Sequence, residues 1–177
     1  FASAAIVCGT NKELITMESS INPDTDYGKS KQLAEDLIRA SGVRNCILRI
    51  GGVFGLNGPN HLGLNKTITE VLSKNTPKLY GSGKACRNYI YLWDLVACVE
   101  YAVNHNIQGT HLLAGSEKIS FKSMIEAICE ILSYNIKPNI HAGNEAQNMM
   151  IEHSKCFPNS RSFQDALQDI KFRAGVI

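Results

Sequence analysis

The stretch DYGKSKQLAEDLIRASGVRNCILRIGGVFG, residues 26–55, decides the fold class. Its first part predicts a helix, because Asp24 or Thr25 can cap the start and Gly42 supplies a stop. Its last part, residues 45–55, has the pattern of a buried strand with a glycine-rich exit. A helix that is followed by an apolar strand is the repeating unit of α/β proteins.

Strands and helices alternate along the rest of the chain in the same way. We expect strands at 1–9, 45–55, 88–92 and 110–114, and helices at 26–41, 62–74, 94–104, 120–132 and from Ser162 onward. This alternation predicts a parallel sheet, and such sheets bind ligands beyond the carboxyl ends of their strands. The turn after the first strand and the glycines after the second strand therefore mark the candidate site.

Tyr27 and Lys31 stand one turn apart in the first helix and project from the same side. A free phenol keeps its proton at neutral pH, and a fixed ammonium group nearby favours the phenolate. Such a tyrosine could exchange a proton with a substrate hydroxyl while a hydride moves elsewhere. Tyr-x-x-x-Lys is a weak pattern, and its second copy, Tyr80 to Lys84, contains two glycines that predict a turn. At this stage, two residues that merely share a helix face are the alternative.

The first helix also carries an apolar row, Leu33 and Leu37, with Ala34 and Ile38 beside it. This row predicts that the helix packs against another element of the protein.

Composition and charge exclude several classes of protein. The chain has 177 residues, of which 44% are apolar and 19% charged, as in a globular domain with a real core. A net charge of +2 gives no case for nucleic acid or an anionic membrane. Arg49 interrupts the best apolar run, far short of the roughly 20 residues of a membrane helix. The sequence shows no signal peptide, so we expect a cytoplasmic protein. The six cysteines lie far apart without a C-x-x-C, so we expect reduced structural thiols and no metal site.

Four motifs resemble one known family in their order and spacing. They are FASAAIVCG (1–9), YGKSK (27–31), LRIGGVFG (48–55) and LYGSGKACRNYIYLWDLV (79–96). Together they are similar to the NAD-dependent epimerase/dehydratase family, extended short-chain dehydrogenases that act on nucleotide sugars. The resemblance implies the C-terminal part of a Rossmann-like doubly wound parallel sheet with a small α/β substrate-binding lobe. Residues 1–60 and 86–104 would form the Rossmann side, and 61–85 and 105–177 mostly the lobe.

The resemblance implies a role for each matching residue on the cofactor side. Tyr27 would transfer the proton, and Lys31 would bind the nicotinamide ribose of NAD or NADP. Ser3 stands in the family's Ser-Ser/Thr pair, where a hydroxyl contacts the sugar oxygen that is oxidised. Together with Ile50, these three residues would also face the cofactor.

On the substrate side, the resemblance implies contacts from Ala4, Gly52 and Arg87, with Arg87 holding the nucleotide diphosphate. The family's catalytic hydroxyl usually stands where this chain has Ala4, so Ser3 must substitute or the step is weakened. The family's substrate-contacting asparagine is replaced by Gly52. Asp94 matches a family aspartate that we interpret as a helix cap.

The resemblance also implies what the chain lacks and how it assembles. The family's glycine-rich dinucleotide fingerprint does not occur in this sequence, so we expect a C-terminal part of a larger protein, with doubtful activity and weak NAD binding alone. Family members commonly dimerise, here through helices 26–41 and 62–74. The rival interpretations are an NADPH-dependent reductase of the same superfamily and a non-catalytic nucleotide-binding paralogue.

Overall fold

The structure is a computed structural model that describes residues 1–133 and 136–176. The helices are α1 (Asp26–Ala40), α2 (Gly63–Leu72), α3 (Leu92–Asn104), α4 (Phe121–Leu132) and α5 (Phe163–Arg173). The strands are β1 (Ala2–Ala4), β2 (Leu14–Ile15), β3 (Cys46–Ile50), β4 (Val53–Phe54), β5 (Lys78–Tyr80), β6 (Cys86–Arg87), β7 (Ile90–Tyr91), β8 (Gly109–Leu113), β9 (Ile119–Ser120), β10 (Asn139–His141) and β11 (Met150–Ile151).

The centre of the fold is a parallel sheet in the order β1-β3-β8. At its carboxyl edge, Ala4 lies opposite Ile50, and Ile50 lies opposite Leu113. Shorter ladders join β4 to β7, β2 to β11, β5 to β10 and β6 to β9. The predicted α/β architecture with a parallel sheet is confirmed. The sheet brings the carboxyl ends of β1 and β3 side by side.

The predicted strand at 1–9 is much shorter in the structure. Only Ala2–Ala4 pair with β3, and Ala5–Cys8 form a single 3₁₀ turn. Val7 and Cys8 are buried against Ile15 and Ile151, so tertiary packing covers them without strand pairing. A short apolar run has the same pattern in a buried strand and in a buried turn, which is why the sequence did not separate the two.

Helix α1 begins and ends as predicted. Thr25 caps it by accepting a hydrogen bond from the Gly28 amide. The chain turns away after the helix at Gly42, whose φ of 69° lies in the left-handed region.

Helix α1 packs against β1 and the 3₁₀ turn, as predicted, but not through Leu33 and Leu37, which are 63% and 64% exposed. Its most enclosed side chain is Glu35, and Ala34 and Ile38 are half-buried.

Helix α3 differs from its prediction at the start. It begins at Leu92, and the carboxylate of Asp94 accepts hydrogen bonds from the Arg161 amide and Nε at 3.0 and 2.7 Å. Asp94 therefore ties α3 to the loop before α5 and does not cap its own helix. The strand predicted at 88–92 is only β7, which pairs with β4 outside the main sheet.

The other helices follow their sequence signals. Ser120 caps α4, which buries Met124, Ile125, Ile128 and Leu132, and Ser162 caps α5 by accepting a hydrogen bond from the Asp165 amide. Helices α2, α4 and α5 share one apolar core with β5. Residues 109–113 belong to the segment 105–177 that we assigned mostly to the lobe, and in the structure they form the third strand of the main sheet.

Among the described residues, no helix has the length and apolar character needed to span a membrane.

Candidate functional site

A cleft of about 630 Å³ opens at the carboxyl edge of the parallel sheet. Its walls come from the end of β1, the start of α1, the glycine-rich segment after β3, the loop before α2 and the strands β6 and β11. The residues singled out from the sequence all line it: Ser3, Ala4, Tyr27, Lys31, Ile50, Gly52 and Arg87. His61, Tyr89 and Met149 complete the wall.

Tyr27 and Lys31 lie together at the rim of this cleft. The ammonium of Lys31 lies 5.5 Å from the centre of the Tyr27 ring and donates a hydrogen bond to the Ala2 carbonyl at 2.9 Å. Tyr27 is 56% exposed and lines the cleft. The start of α1 thus presents a phenol and a cation side by side at the cleft.

Beneath this pair lies a buried ionic network that the sequence did not reveal. The Glu35 carboxylate accepts hydrogen bonds from Ser3 Oγ, from Nε and Nη2 of Arg49 at 3.0 and 2.8 Å, and from Nη2 of Arg39 at 2.6 Å. Burial favours the neutral acid, but the hydrogen bonds from these three side chains outweigh it and hold the pKa of Glu35 below its ordinary value. Glu35 is therefore an ionised carboxylate whose charge is matched inside the fold.

The network also engages Ser3, which lines the cleft. Ser3 is 3% exposed, and its hydroxyl donates a hydrogen bond to Glu35. Neighbouring residues of a strand point to opposite faces, so the cleft receives the methyl group of Ala4. Because the Ser3 hydroxyl donates to Glu35, it could serve a substrate oxygen only by accepting a further hydrogen bond, and its role stays a prediction.

Arg87 brings a positive charge to the far wall of the cleft. Its Nη1 donates to the carbonyls of Cys86 and Gln147, and its guanidinium lies 5.3 Å from the centre of the Phe121 ring. Among the described residues no carboxylate pairs with it, and burial lowers the pKa of Arg87. A partly buried cation with this environment is suited to an anionic ligand.

Tyr89 occupies the space that a side chain at position 52 would need. A Cβ added at Gly52 would overlap the ring carbons of Tyr89, and one at Gly115 would overlap the Tyr89 carbonyl. Burial raises the pKa of the Tyr89 phenol, against the charge of Arg87. The ring of Tyr89 thus lies against Gly52 in the cleft wall.

Two signals in the sequence could have exposed the missed residues. Arg49 interrupts an apolar strand, and a buried cation needs a partner. Glu35 lies one turn after Lys31, on the helix face that meets β1. By contrast, no sequence pattern placed Tyr89 against Gly52, because that contact depends on how β7 approaches β4.

A profile of the NAD dependent epimerase/dehydratase family matches residues 1–115. The chain belongs to this family. The sequence resemblance, made on four motifs, is confirmed. In this member of the epimerase/dehydratase family, Tyr27 and Lys31 on α1 and Arg87 on β6 all line one cleft.

Curated relatives match the chain over part of their length. An uncharacterized UDP-glucose epimerase, YtcB, of Bacillus subtilis is 25% identical over 137 residues, which cover 74% of this chain and 43% of YtcB. The dTDP-glucose 4,6-dehydratase of Mycolicibacterium smegmatis is 31% identical over 100 residues, which cover 54% of this chain and 30% of that protein. The chain thus spans less than half the length of these relatives.

Solved structures of epimerases share the fold over nearly the whole chain. The UDP-N-acetylglucosamine 4-epimerase of Methanobrevibacter ruminantium, solved with UDP-N-acetylmuramic acid, superposes with a TM-score of 0.84 at 18% identity. It covers 99% of this chain and 63% of the other. The UDP-glucuronic acid 4-epimerase of Bacillus cereus, solved with NAD, gives 0.80 at 20% identity and covers 98% of this chain and 60% of the other. At these identities the likeness shows the fold.

The contact between Gly52 and Tyr89 yields a testable prediction. Gly52→Ala should destabilise the chain by about 1–3 kcal/mol, because the new methyl overpacks against the ring. In a Tyr89→Ala background the same change should be nearly neutral. Urea denaturation of the native chain, the two single variants and the double variant measures the coupling free energy. Gly63→Ala is the matched control, because a Cβ there meets open space. An equal cost of Gly52→Ala in both backgrounds would contradict the assigned contact.

Proposed function

We propose that the protein is an NAD(P)-dependent nucleotide-sugar epimerase or dehydratase that transiently oxidises a sugar hydroxyl. The observation that carries the proposal is the placement of Tyr27 and Lys31 at the carboxyl edge of a parallel sheet, where such sheets bind their ligands. Relatives named as UDP-glucose epimerase and dTDP-glucose 4,6-dehydratase support the same class.

In this proposal Tyr27 is the residue that exchanges the proton. As a phenolate it accepts a proton from the sugar hydroxyl as the sugar carbon is oxidised, and as a phenol it returns that proton when the carbonyl is reduced. The Ala2 carbonyl accepts a hydrogen bond from the Lys31 ammonium and holds it beside the Tyr27 ring.

The cleft fits the nicotinamide end of a dinucleotide. Lys31 offers ammonium protons for a ribose, Ile50 offers an apolar wall for the nicotinamide ring, and the Ser3 backbone borders the same space. NAD or NADP, when bound there, supplies the acceptor for the hydride. The UDP-glucuronic acid 4-epimerase of Bacillus cereus was solved with NAD, and RMD of Pseudomonas aeruginosa, which has the same fold, was solved with NADPH. The fold therefore accommodates either dinucleotide in other proteins.

Arg87 is the group that we assign to the nucleotide diphosphate. A guanidinium fork matches two phosphate oxygens in charge and geometry, and the diphosphate would supply the counter-charge that no described carboxylate provides. Because Tyr27 and Arg87 line the same cleft, one nucleotide sugar would contact both.

One observation favours a second candidate, a nucleotide-binding paralogue without catalysis. Ala4 presents a methyl group where the reaction calls for a hydroxyl, and Ser3 is engaged with Glu35. A protein of this kind would retain the diphosphate contact of Arg87 and lack turnover.

The substitution Tyr27→Phe separates these candidates. We expect turnover of nucleotide sugars to fall roughly 10²-fold or more while bound cofactor is retained, because only the proton-transferring hydroxyl is lost. Tyr80→Phe is the matched control, since Tyr80 begins the other Tyr-x-x-x-Lys copy and stacks on His141 away from the cleft. Turnover that survives Tyr27→Phe would refute the proton-transfer role. Nucleotide binding without any turnover in the unaltered protein would establish the second candidate.

We further propose that the protein is a cytoplasmic homodimer in which α1 provides the contact. Leu33 and Leu37 present an exposed apolar row on this helix, whereas α2 buries Leu64, Ile68 and Val71 in the lobe core. Helix α2, which we also expected at the interface, therefore presents no exposed apolar row. The six free cysteines fit a reducing compartment, which cell fractionation would test.

Replacing the exposed leucines tests the dimer. Leu33→Gln with Leu37→Gln should convert a sedimenting dimer into a monomer, because the apolar area that stabilises the contact is removed. Phe172→Gln, on the exposed end of α5, should leave the dimer intact. A monomer at micromolar concentration before any substitution would rule out this interface.

A further inference from the structure

A thiol and an imidazole form a pair outside the candidate site. Cys156 is exposed in the segment after β11, and its Sγ lies 3.4 Å from Nδ1 of His111, which stands in β8. Neither residue lines the cleft that contains Tyr27. Thiols and imidazoles at this distance share a hydrogen bond, so the two side chains act as a unit.

A backbone carbonyl fixes the direction of proton transfer in this pair. Nε2 of His111 lies 2.8 Å from the carbonyl oxygen of Gln108, and that oxygen can only accept. Nε2 therefore carries a hydrogen, and in the neutral ring Nδ1 is left with a lone pair that faces the Cys156 thiol. A nucleophile, a base and a third group that orients the base is the arrangement by which proteins activate thiols.

Neighbouring contacts hold both members of the pair in place. The ring of His111 meets the buried ring of Phe157 edge-on, with centroids 5.3 Å apart. The segment that carries Cys156 is tied to β8, because the Ser154 amide donates to the Leu112 carbonyl and Ser154 Oγ accepts from the Leu112 amide, both at 2.9 Å. The thiol is thus presented to solvent on a fixed backbone.

The other five cysteines lack this combination. Cys8, Cys98 and Cys129 are buried, and burial raises the pKa of each of these thiols. Burial also raises the pKa of Cys46. Cys86 is half-buried, and its thiol lies 3.5 Å from the Lys84 carbonyl, an acceptor that cannot act as a base.

We propose that Cys156 and His111 form a modification site for low-molecular-weight disulfides. Nδ1 of His111 takes the proton from Sγ, and the thiolate attacks one sulfur of the disulfide. A new S–S bond joins Cys156 to that sulfur while the original S–S bond breaks. The departing thiolate takes the proton from the imidazolium and leaves as a thiol, so Cys156 is oxidised and one half of the reagent is reduced.

The test measures the rate of modification at each cysteine of the whole chain with bis(hydroxyethyl) disulfide, a small neutral probe, followed by peptide mass mapping. Cys156 should react about tenfold or more faster than Cys86, because an unactivated thiol is only a few per cent ionised at neutral pH. His111→Gln keeps a side chain of similar size without a base, and it should bring the Cys156 rate down to that of Cys86. Cys156→Ser should abolish the fast adduct.

Urea supplies a control that needs no variant. In the denatured chain the two rates should become similar, because the pairing of Cys156 with His111 is lost. Similar rates at Cys156 and Cys86 in the folded chain would overturn the proposal, and so would a fast Cys156 that is unaffected by His111→Gln in a variant whose circular dichroism matches that of the original.

Discussion

The buried carboxylate of Glu35 is the interaction on which the geometry of the site depends. A charge with no exposed surface is stable only when it is paired, and here two arginines and a serine hydroxyl surround it. Ser3 belongs to β1, Arg49 to β3 and Glu35 to α1, so one group connects three elements of the fold. One turn earlier on the same helix, Lys31 reaches the neighbouring residue of β1. The two contacts set the position of α1 on the sheet, and with it the position of Tyr27.

The same network explains the chemistry of the cleft wall. Because the Ser3 hydroxyl serves the ionic cluster, the cleft side of β1 ends in the methyl group of Ala4. After β3, Gly52 carries no side chain, and the ring of Tyr89 occupies the space that one would need. Arg87 adds a positive charge to the same cleft.

The sequence predicted the parts of the fold that depend on local signals. Caps at Thr25, Ser120 and Ser162, the glycine exit of α1 and the alternation of strands with helices all appear as expected. The four motifs also identified a set of candidate residues that all line one cleft in the structure.

What the sequence did not predict depends on contacts between distant segments. Asp94 has the position of a helix cap, yet Arg161 lies 67 residues away and captures its carboxylate. Leu33 and Leu37 have the spacing of an inward row, yet the buried face of α1 is the one that carries Glu35. A helical period shows which residues share a face, but it does not show which face meets the sheet when the buried face is ionic.

The free energy of unfolding of Glu35→Gln, measured against pH, tests this account most directly. Near neutral pH the variant should lose about 3–5 kcal/mol, because Arg49 is left buried without its counter-charge. The pKa of Glu35 is lower in the folded chain than the ordinary glutamate value of about 4.3, so the native chain should lose this stability as pH falls below that value. The Glu35→Gln variant has no carboxyl group at this position and should not show this pH dependence. Asp36→Asn, which alters an exposed partner of Arg39, should change little at any pH. A Glu35→Gln variant as stable as Asp36→Asn, with the pH dependence of the native chain, would contradict the account.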